Sequence, residues 1–351
     1  MPVTWVKTVE QATLWDRLLT SHPAGTAYLL SWYLEHQRFP RVSADIAIIE
    51  QDGRAVAGAV LYTYKLPGGQ SVCQVPCGPI ALPEAEGALG ELVRALVDRA
   101  RENGAMLLQF EAFEAEMRDV LRDGLKDFRL RDDAVWKLYH PTLWRDLRVD
   151  LRDKTPETLL MSFRQTTRQC VRKGLKVGAT VEEASDETAI DAAYAMWSKS
   201  AEERGYTPRS REVFRALVKD STERGMGSLF VCRTDGQLAA FAYTIFYGCG
   251  SVYIAGAYDA EIGRGYAQHL VQYNAMCRAL ERKIPYYSLA APGSAGLRTF
   301  KQGFRPVLFD NWRFVTVVLA PMRVWLIKGI IGRAKVPWMH KLKKWAASGE
   351  K

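Results

Sequence analysis

Lys301 stands between Phe300 and Phe304 in the run Thr299-Phe-Lys-Gln-Gly-Phe-Arg305. A cation beside two rings has a restricted position and reduced hydration, which suits it to meet negative charge developing on a carbonyl oxygen. The same residue types also describe a strand edge with a snorkelling lysine, so the pattern alone leaves both readings open. A second set of cations, Arg164, Arg168, Arg172 and Lys173, lies where the apolar positions Leu159, Leu160, Phe163, Cys170 and Val171 predict one helix over 156–173. Its three arginines recur every fourth residue, about 6 Å apart per step, a spacing that matches successive phosphate oxygens. No acid falls between Arg164 and Lys176, and the alternative reading is a solvated helix face.

What is missing narrows the chemistry. Five histidines and six cysteines are scattered without metal-ligand or CxxC spacing, and no HExxH, GxSxG or Walker loop occurs. Hydrolase and nucleotidase readings lose ground, and no metal is expected. Dispersed cysteines fit a reducing cytoplasm. The amino-terminal residues lack a secretion signal, and no apolar run approaches the ~20 residues that span a bilayer, so the chain is expected to be soluble.

The net charge of +9 is uneven. Residues 311–349 contain no acid but eight Lys or Arg, interleaved with Trp312, Trp325, Trp338 and Trp345. Such a tail fits a phosphate backbone or an anionic membrane surface, or else is a basic helix with one face on the core.

At 351 residues the chain exceeds the size at which one core keeps growing, and an internal echo supports two domains. Asp52-Gly53 and Asp235-Gly236 each separate two apolar runs, as hairpin turns do. Each hairpin is followed by a strand (71–75; 251–255), a helix (87–103; 266–282) and another strand (106–111; 286–290). Shared order and spacing predict one α/β fold used twice, with mixed sheets flanked by helices. The junction is expected at 150–154, before the Thr155-Pro156 helix start, giving domains 1–152 and 153–320 and a tail 321–351. Pro76-Cys-Gly-Pro79 is a stiff scaffold bend. Glu203 to Arg209 joins two helical stretches and offers Arg204, Tyr206 and Arg209 on a loop.

Taken in order, Ser31-Trp32, Pro76 to Pro79, the segment Pro141-Thr-Leu-Trp-Arg-Asp-Leu-Arg-Val-Asp-Leu151, Arg164 to Lys176, Arg204-Gly-Tyr206, Tyr253 and Phe300-Lys301 resemble the Fem-type aminoacyltransferases. These are FemX-like enzymes of tandem GNAT-like domains that build peptidoglycan bridges. The likeness spans roughly residues 25–320, with FKxxF its sharpest part. It implies two GNAT-like domains without a coiled-coil arm. It also implies an enzyme that moves an amino acid from aminoacyl-tRNA, its co-substrate, to the stem-peptide amine of UDP-MurNAc-pentapeptide or lipid II, with no other cofactor.

On that resemblance Lys301 stabilises the oxyanion and Phe300 positions the acceptor. Arg38 and Arg204 or Arg209 hold the precursor diphosphate, Tyr253 and Tyr258 line the peptide groove, and the 164–173 cations meet tRNA phosphates. The basic tail contacts tRNA or the inner membrane face. Two departures stand out: Tyr287-Ser-Leu-Ala-Ala291 lacks the Asp and glycines the family often has there, and Arg305 replaces its usual glycine. The alternative is an acyl-CoA-dependent GNAT N-acyltransferase acting on a polysaccharide or secondary-metabolite amine, with Gly263-Arg-Gly-Tyr-Ala267 receiving the pyrophosphate.

Overall fold

The computed structural model describes residues 2–37, 40–66, 69–132, 146–310 and 312–324. The chain divides into two compact units, Met1–Trp144 with Asp310–Lys351, and Arg145–Phe309.

The first unit runs β1 (Val3–Trp5), α1 (Val9–Ser21), α2 (Ser31–Glu35), β2 (Val42–Gln51), β3 (Arg54–Lys65), β4 (Ser71–Val75), β5 (Ile80–Ala81), α3 (Leu89–Glu102), β6 (Ala105–Phe113), α4 (Glu114–Gly124) and β7 (Leu130–Arg131). The second runs β8 (Asp146–Asp150), α5 (Pro156–Ser162), α6 (Gln165–Lys176), β9 (Thr180–Ala184), α7 (Glu187–Arg204), α8 (Arg211–Glu223), β10 (Gly227–Thr234), β11 (Gln237–Phe246), β12 (Ser251–Tyr258), α9 (Ala260–Gly263), α10 (Ala267–Glu281), β13 (Tyr286–Ser288), α11 (Ala295–Gln302) and β14 (Val307–Phe309). The chain then returns to the first unit as β15 (Trp312–Val318).

Both sheets are mixed. Their strand orders are β1-β2-β3-β4-β6-β15-β7, with β5 beside β3, and β14-β8-β13-β12-β11-β10-β9. In each, an antiparallel hairpin (β2–β3; β10–β11) precedes a strand joined through a helix to a parallel neighbour (β4 and β6; β12 and β13). The two hairpin turns share one backbone. Asp52 and Gly53 have φ of 49° and 74°, and Asp235 and Gly236 have 51° and 76°. Two successive left-handed residues make the turn whose twist suits a two-residue hairpin, which is why Asp-Gly recurs.

The expected boundaries at 152 and 320 do not hold. Instead of closing the first domain, β8 pairs with β13 and β14, and Leu147, Val149 and Leu151 enter the second core. Conversely, β15 pairs with β6 and β7 and sends Val315 and Val317 into the first core. Each sheet thus takes the strand beyond its parallel pair from the opposite end of its own sequence.

The predicted helix 156–173 is also two helices. Phe163 and Arg164 are extended, with ψ of 163° and 150°, and α6 restarts beyond them. The Arg164 N–H donates to Gly303 O at 2.9 Å, a tertiary bond that a continuous helix would forbid. The basic tail beyond Val324 lies outside the described residues. Among the described residues, no helix is long and apolar enough to cross a membrane.

Because β6 loses one of its two partners without β15, and β7 loses its own, a fragment spanning 1–152 is expected to aggregate or to give a collapsed 1H–15N spectrum. A fragment spanning 145–309, holding every strand of its sheet, is expected to give a dispersed one.

Candidate active site

The Phe300-Lys301 signature is helical, not the edge of a strand. Ser294 starts α11, and Gly303 follows its last turn. Phe304, fully buried, packs edge-on against Phe163 at 5.1 Å and Phe300 at 5.3 Å, and tilts over His269 at 5.9 Å. The rings therefore grip one another and the second core, and Lys301 leaves the helix on a neighbouring side. Gly303 is required by space: a Cβ there would come within 2.2 Å of Thr167 Oγ1 and 2.9 Å of the Phe300 carbonyl. With the Arg164 bond, this fastens the end of α11 to the start of α6.

Lys301 is only 4% exposed. Its Nζ donates to the Ala291 carbonyl at 2.5 Å. Burial pushes the ammonium's pKa down to about 8, and the negative charge of Asp146 opposes the shift. The lysine is still largely protonated at neutral pH, in a site where water screens it poorly. Ala290 has φ of +57°, strained for a residue with a Cβ, and its N–H donates to Ser288 Oγ at 3.0 Å. Ser288 Oγ in turn donates to Asp146 Oδ1 at 2.5 Å, and Arg148 Nε donates to Oδ2 at 2.8 Å. Arg148 is sandwiched by Phe309 at 3.5 Å and Tyr286 at 4.1 Å.

This corner lies where the second sheet opens. β12 and β13 pair only at Ser251–Tyr287 and Val252–Ser288, after which β12 continues to Tyr258 while its neighbour turns away at Ala290. Among the described residues no strand pairs with that side of β12 past Val252, so its backbone groups are available to an extended ligand. In the first unit, β4 and β6 stay paired to Val75–Phe110, and a Gly78–Glu111 bridge follows.

The expected ligand residues are brought together in part. Tyr253 sits where β12 becomes free, and its hydroxyl accepts from Gln268 Nε2 at 3.4 Å. Burial raises its pKa well above the usual range, Tyr206 adds to the rise and Arg204 opposes it, so these three share one neighbourhood. Tyr206 accepts a hydrogen bond from Trp197 Nε1 at 3.0 Å, just past the left-handed Gly205 that ends α7. Arg209 anchors the loop through its carbonyl, which accepts from Tyr194 at 2.9 Å. Tyr258 is at the far, exposed end of β12, and Arg38 lies outside the described residues.

The phosphate ladder is broken. Arg164 sits in the helix break. Arg168 Nη1 donates to the carbonyls of Met161 at 3.1 Å and Phe163 at 2.6 Å, capping α5. Arg172 points to Met161 Sδ at 3.6 Å, and Lys173 Nζ lies 5.7 Å from the Tyr266 ring centroid. Arg168 therefore caps α5, and Arg164 stands at the N-cap, outside the helix that carries Arg168, Arg172 and Lys173.

Sequence reasoning missed Asp146 and His269. The first was visible only as one letter of the 141–151 segment, and nothing local marked the second. His269 packs edge-on against Phe300 at 4.9 Å, and burial lowers its pKa, so it is neutral at pH 7. Among the described residues, no three His, Cys, Asp or Glu are grouped to hold a metal ion.

Residues 161–302 match the model of the acetyltransferase (GNAT) domain family. Across the whole chain the fold is similar to the crystal structure of FemX, with a TM-score of 0.78 at 19% identity, covering 93% of this chain and 100% of that one. A tandem GNAT protein from the clavulanic acid biosynthesis pathway aligns with a TM-score of 0.50 at 14% identity, over 90% of this chain and 98% of its own. The chain folds as a FemX-like tandem GNAT protein. A conserved protein of unknown function from Bacteroides thetaiotaomicron VPI-5482 shares this tandem fold with a TM-score of 0.63 at 14% identity, over 90% of this chain and 100% of that one. No curated protein matches the chain in sequence. In the tandem GNAT framework, the matched domain carries the acyltransferase fold, and its opened sheet and buried lysine fall in the second unit. Helices α7 and α8, of 18 and 13 residues, leave no long hairpin arm among the described residues.

Gly303→Ala is expected to cost about 1–3 kcal/mol in denaturant unfolding, with part recovered in the Gly303→Ala/Thr167→Ala double variant. The effect of Lys301 on stability has the opposite sign. Its folded pKa of about 8 lies below the 10.5 of an ordinary lysine, so between those values the unfolded chain binds more protons and stability rises with pH. Lys301→Met is expected to raise Tm at pH 7, by a margin that shrinks as the pH approaches the unfolded value.

Proposed function

We propose that this GNAT-type acyltransferase moves an amino acid from aminoacyl-tRNA to the stem-peptide amine of a peptidoglycan precursor, UDP-MurNAc-pentapeptide or lipid II. The observation that supports this reading most is the buried, protonated Lys301 at the corner where β12 and β13 part. The fold likeness to FemX is consistent with it.

The reaction asks little of the protein. The ester donor is already activated, so a neutral amine held in line attacks the carbonyl carbon and forms a tetrahedral oxyanion. Two N–H groups of Lys301, beyond the one bound to Ala291, meet that oxygen in a site of low dielectric. The C–N bond forms, the C–O bond to the tRNA ribose breaks, the ribose oxygen gains a proton and the amine nitrogen loses one. No further cofactor enters. Phe300, half-buried against His269, presents its remaining surface to the acceptor. Tyr206 and Tyr253 line the approach, Arg38 with Arg204 or Arg209 holds the precursor diphosphate, and Tyr258 extends the groove. Arg164, Arg172 and Lys173, together with the basic tail, meet tRNA, and the tail alternatively meets an anionic membrane.

The second reading is acyl-CoA-dependent N-acylation. It is favoured by Arg264 and Gly265, whose φ of 42° and 76° turn successive amides together before α10. Asp259 and Glu261, in the same turn, oppose a pyrophosphate.

Incubation with charged tRNAs and UDP-linked pentapeptide is expected to give a mass increment of one or more amino-acid residues. Lys301→Ala is expected to cut the transfer rate by ~10²–10³ with precursor affinity nearly kept. Because the ammonium form acts, the rate should fall as pH rises through about 8. Micromolar acetyl-CoA binding by calorimetry, with no transfer from tRNA, would replace the first reading by the second.

A further inference from the structure

Lys301 is a buried cation whose contact partner, the Ala291 carbonyl, is neutral, and the nearest source of compensating charge comes from a distant part of the sequence. Asp146, at the first position of β8, is 8% exposed, and both carboxylate oxygens are engaged: Oδ1 by Ser288 Oγ at 2.5 Å and Oδ2 by Arg148 Nε at 2.8 Å. The same Ser288 hydroxyl accepts the N–H of Ala290, the left-handed residue immediately before the carbonyl that Lys301 contacts. A single carboxylate therefore sits at the root of the chain Asp146, Ser288, Ala290, Ala291, Lys301.

We propose that Asp146 is the positioning residue of this site, holding the Ala290–Ala291 turn and keeping the Lys301 ammonium charged without binding it. This rests on the reading of Lys301 as the oxyanion-stabilising cation. A carboxylate in direct contact would occupy the N–H groups that the oxyanion needs. One whose oxygens are taken by Ser288 and Arg148 acts through the field alone, which in a poorly hydrated interior reaches further than in water.

Arg148 sets how much of that charge is felt, because it neutralises Asp146 in part while Phe309 and Tyr286 fix it from both faces. His269 on α10, held neutral by burial, packs on Phe300, and Arg298 and Arg305 on the lysine's own segment are exposed. The carboxylate reaches this turn from β8, across the sheet pair Ser288–Arg148.

The test is a direct titration of Lys301 in the full chain, free of substrates, by 13C NMR of labelled lysine with Lys301→Met for assignment. Asp146→Asn is expected to move the midpoint acidward by about one unit, and the alkaline limb of the transfer rate with it. Arg148→Gln, which unmasks the carboxylate, is expected to move the midpoint the other way. A merely structural role predicts no shift, or shifts of one sign in both variants, and either result overturns the proposal. If Asp146→Asn does not fold, Arg148→Gln alone decides: a midpoint that stays or falls overturns it. Shifts as expected in a protein that transfers nothing from tRNA would uphold the Asp146–Lys301 coupling and reject the reaction instead.

Discussion

Keeping an ammonium group inside the second unit is the constraint that organises everything around it. A lysine held at 4% exposure with its pKa near 8 costs the fold roughly 3 kcal/mol relative to the same group in water. The surroundings supply what offsets that cost. Phe304 and Phe163 lock the helix that carries it, Gly303 lets that helix approach Thr167, and a strained alanine turns a carbonyl toward the ammonium. None of these devices improves stability at pH 7 as much as an apolar residue at 301 would, which is the pattern expected where a fold gives up stability for chemistry.

The two units use one plan for different ends. In the first, β4 and β6 stay together to Phe110 and the following turn bridges back to Glu111. In the second, the equivalent pair separates after two registers, which leaves one side of β12 without a strand partner among the described residues. A sheet closed at this point has no room for an extended substrate, whereas an opened one offers both polar backbone and an entry path. The unpaired side of β12 belongs to the second unit, within the residues 161–302 that match the acetyltransferase (GNAT) domain model.

Much of this was legible in the sequence where the signal was local. The Asp-Gly turns fixed both hairpins because few other dipeptides tolerate two left-handed residues. The helix and strand order followed from periodicity, and Lys301 from its flanking rings, although those rings proved to hold the helix and not the cation. What escaped depended on contacts between distant residues. The break at Phe163–Arg164 carries no glycine or proline and is imposed by the bond to Gly303. Arg168 looked like a phosphate ligand until its guanidinium was found on two carbonyls. Asp146 acts through a serine that is remote in sequence, and the exchange of β8 and β15 leaves no trace in either strand's own pattern.

That exchange of strands bears on how the chain is made. A ribosome delivers β8 before the rest of its sheet, so the second unit has all its strands once Phe309 has emerged. The first unit, although synthesised earlier, waits for Trp312–Val318 to insert beside β6. Its half-built sheet must stay unaggregated throughout translation of the second unit. The vectorial order of birth is thus the reverse of the order of completion, and the nascent amino-terminal half carries its unpaired strand edge the longer.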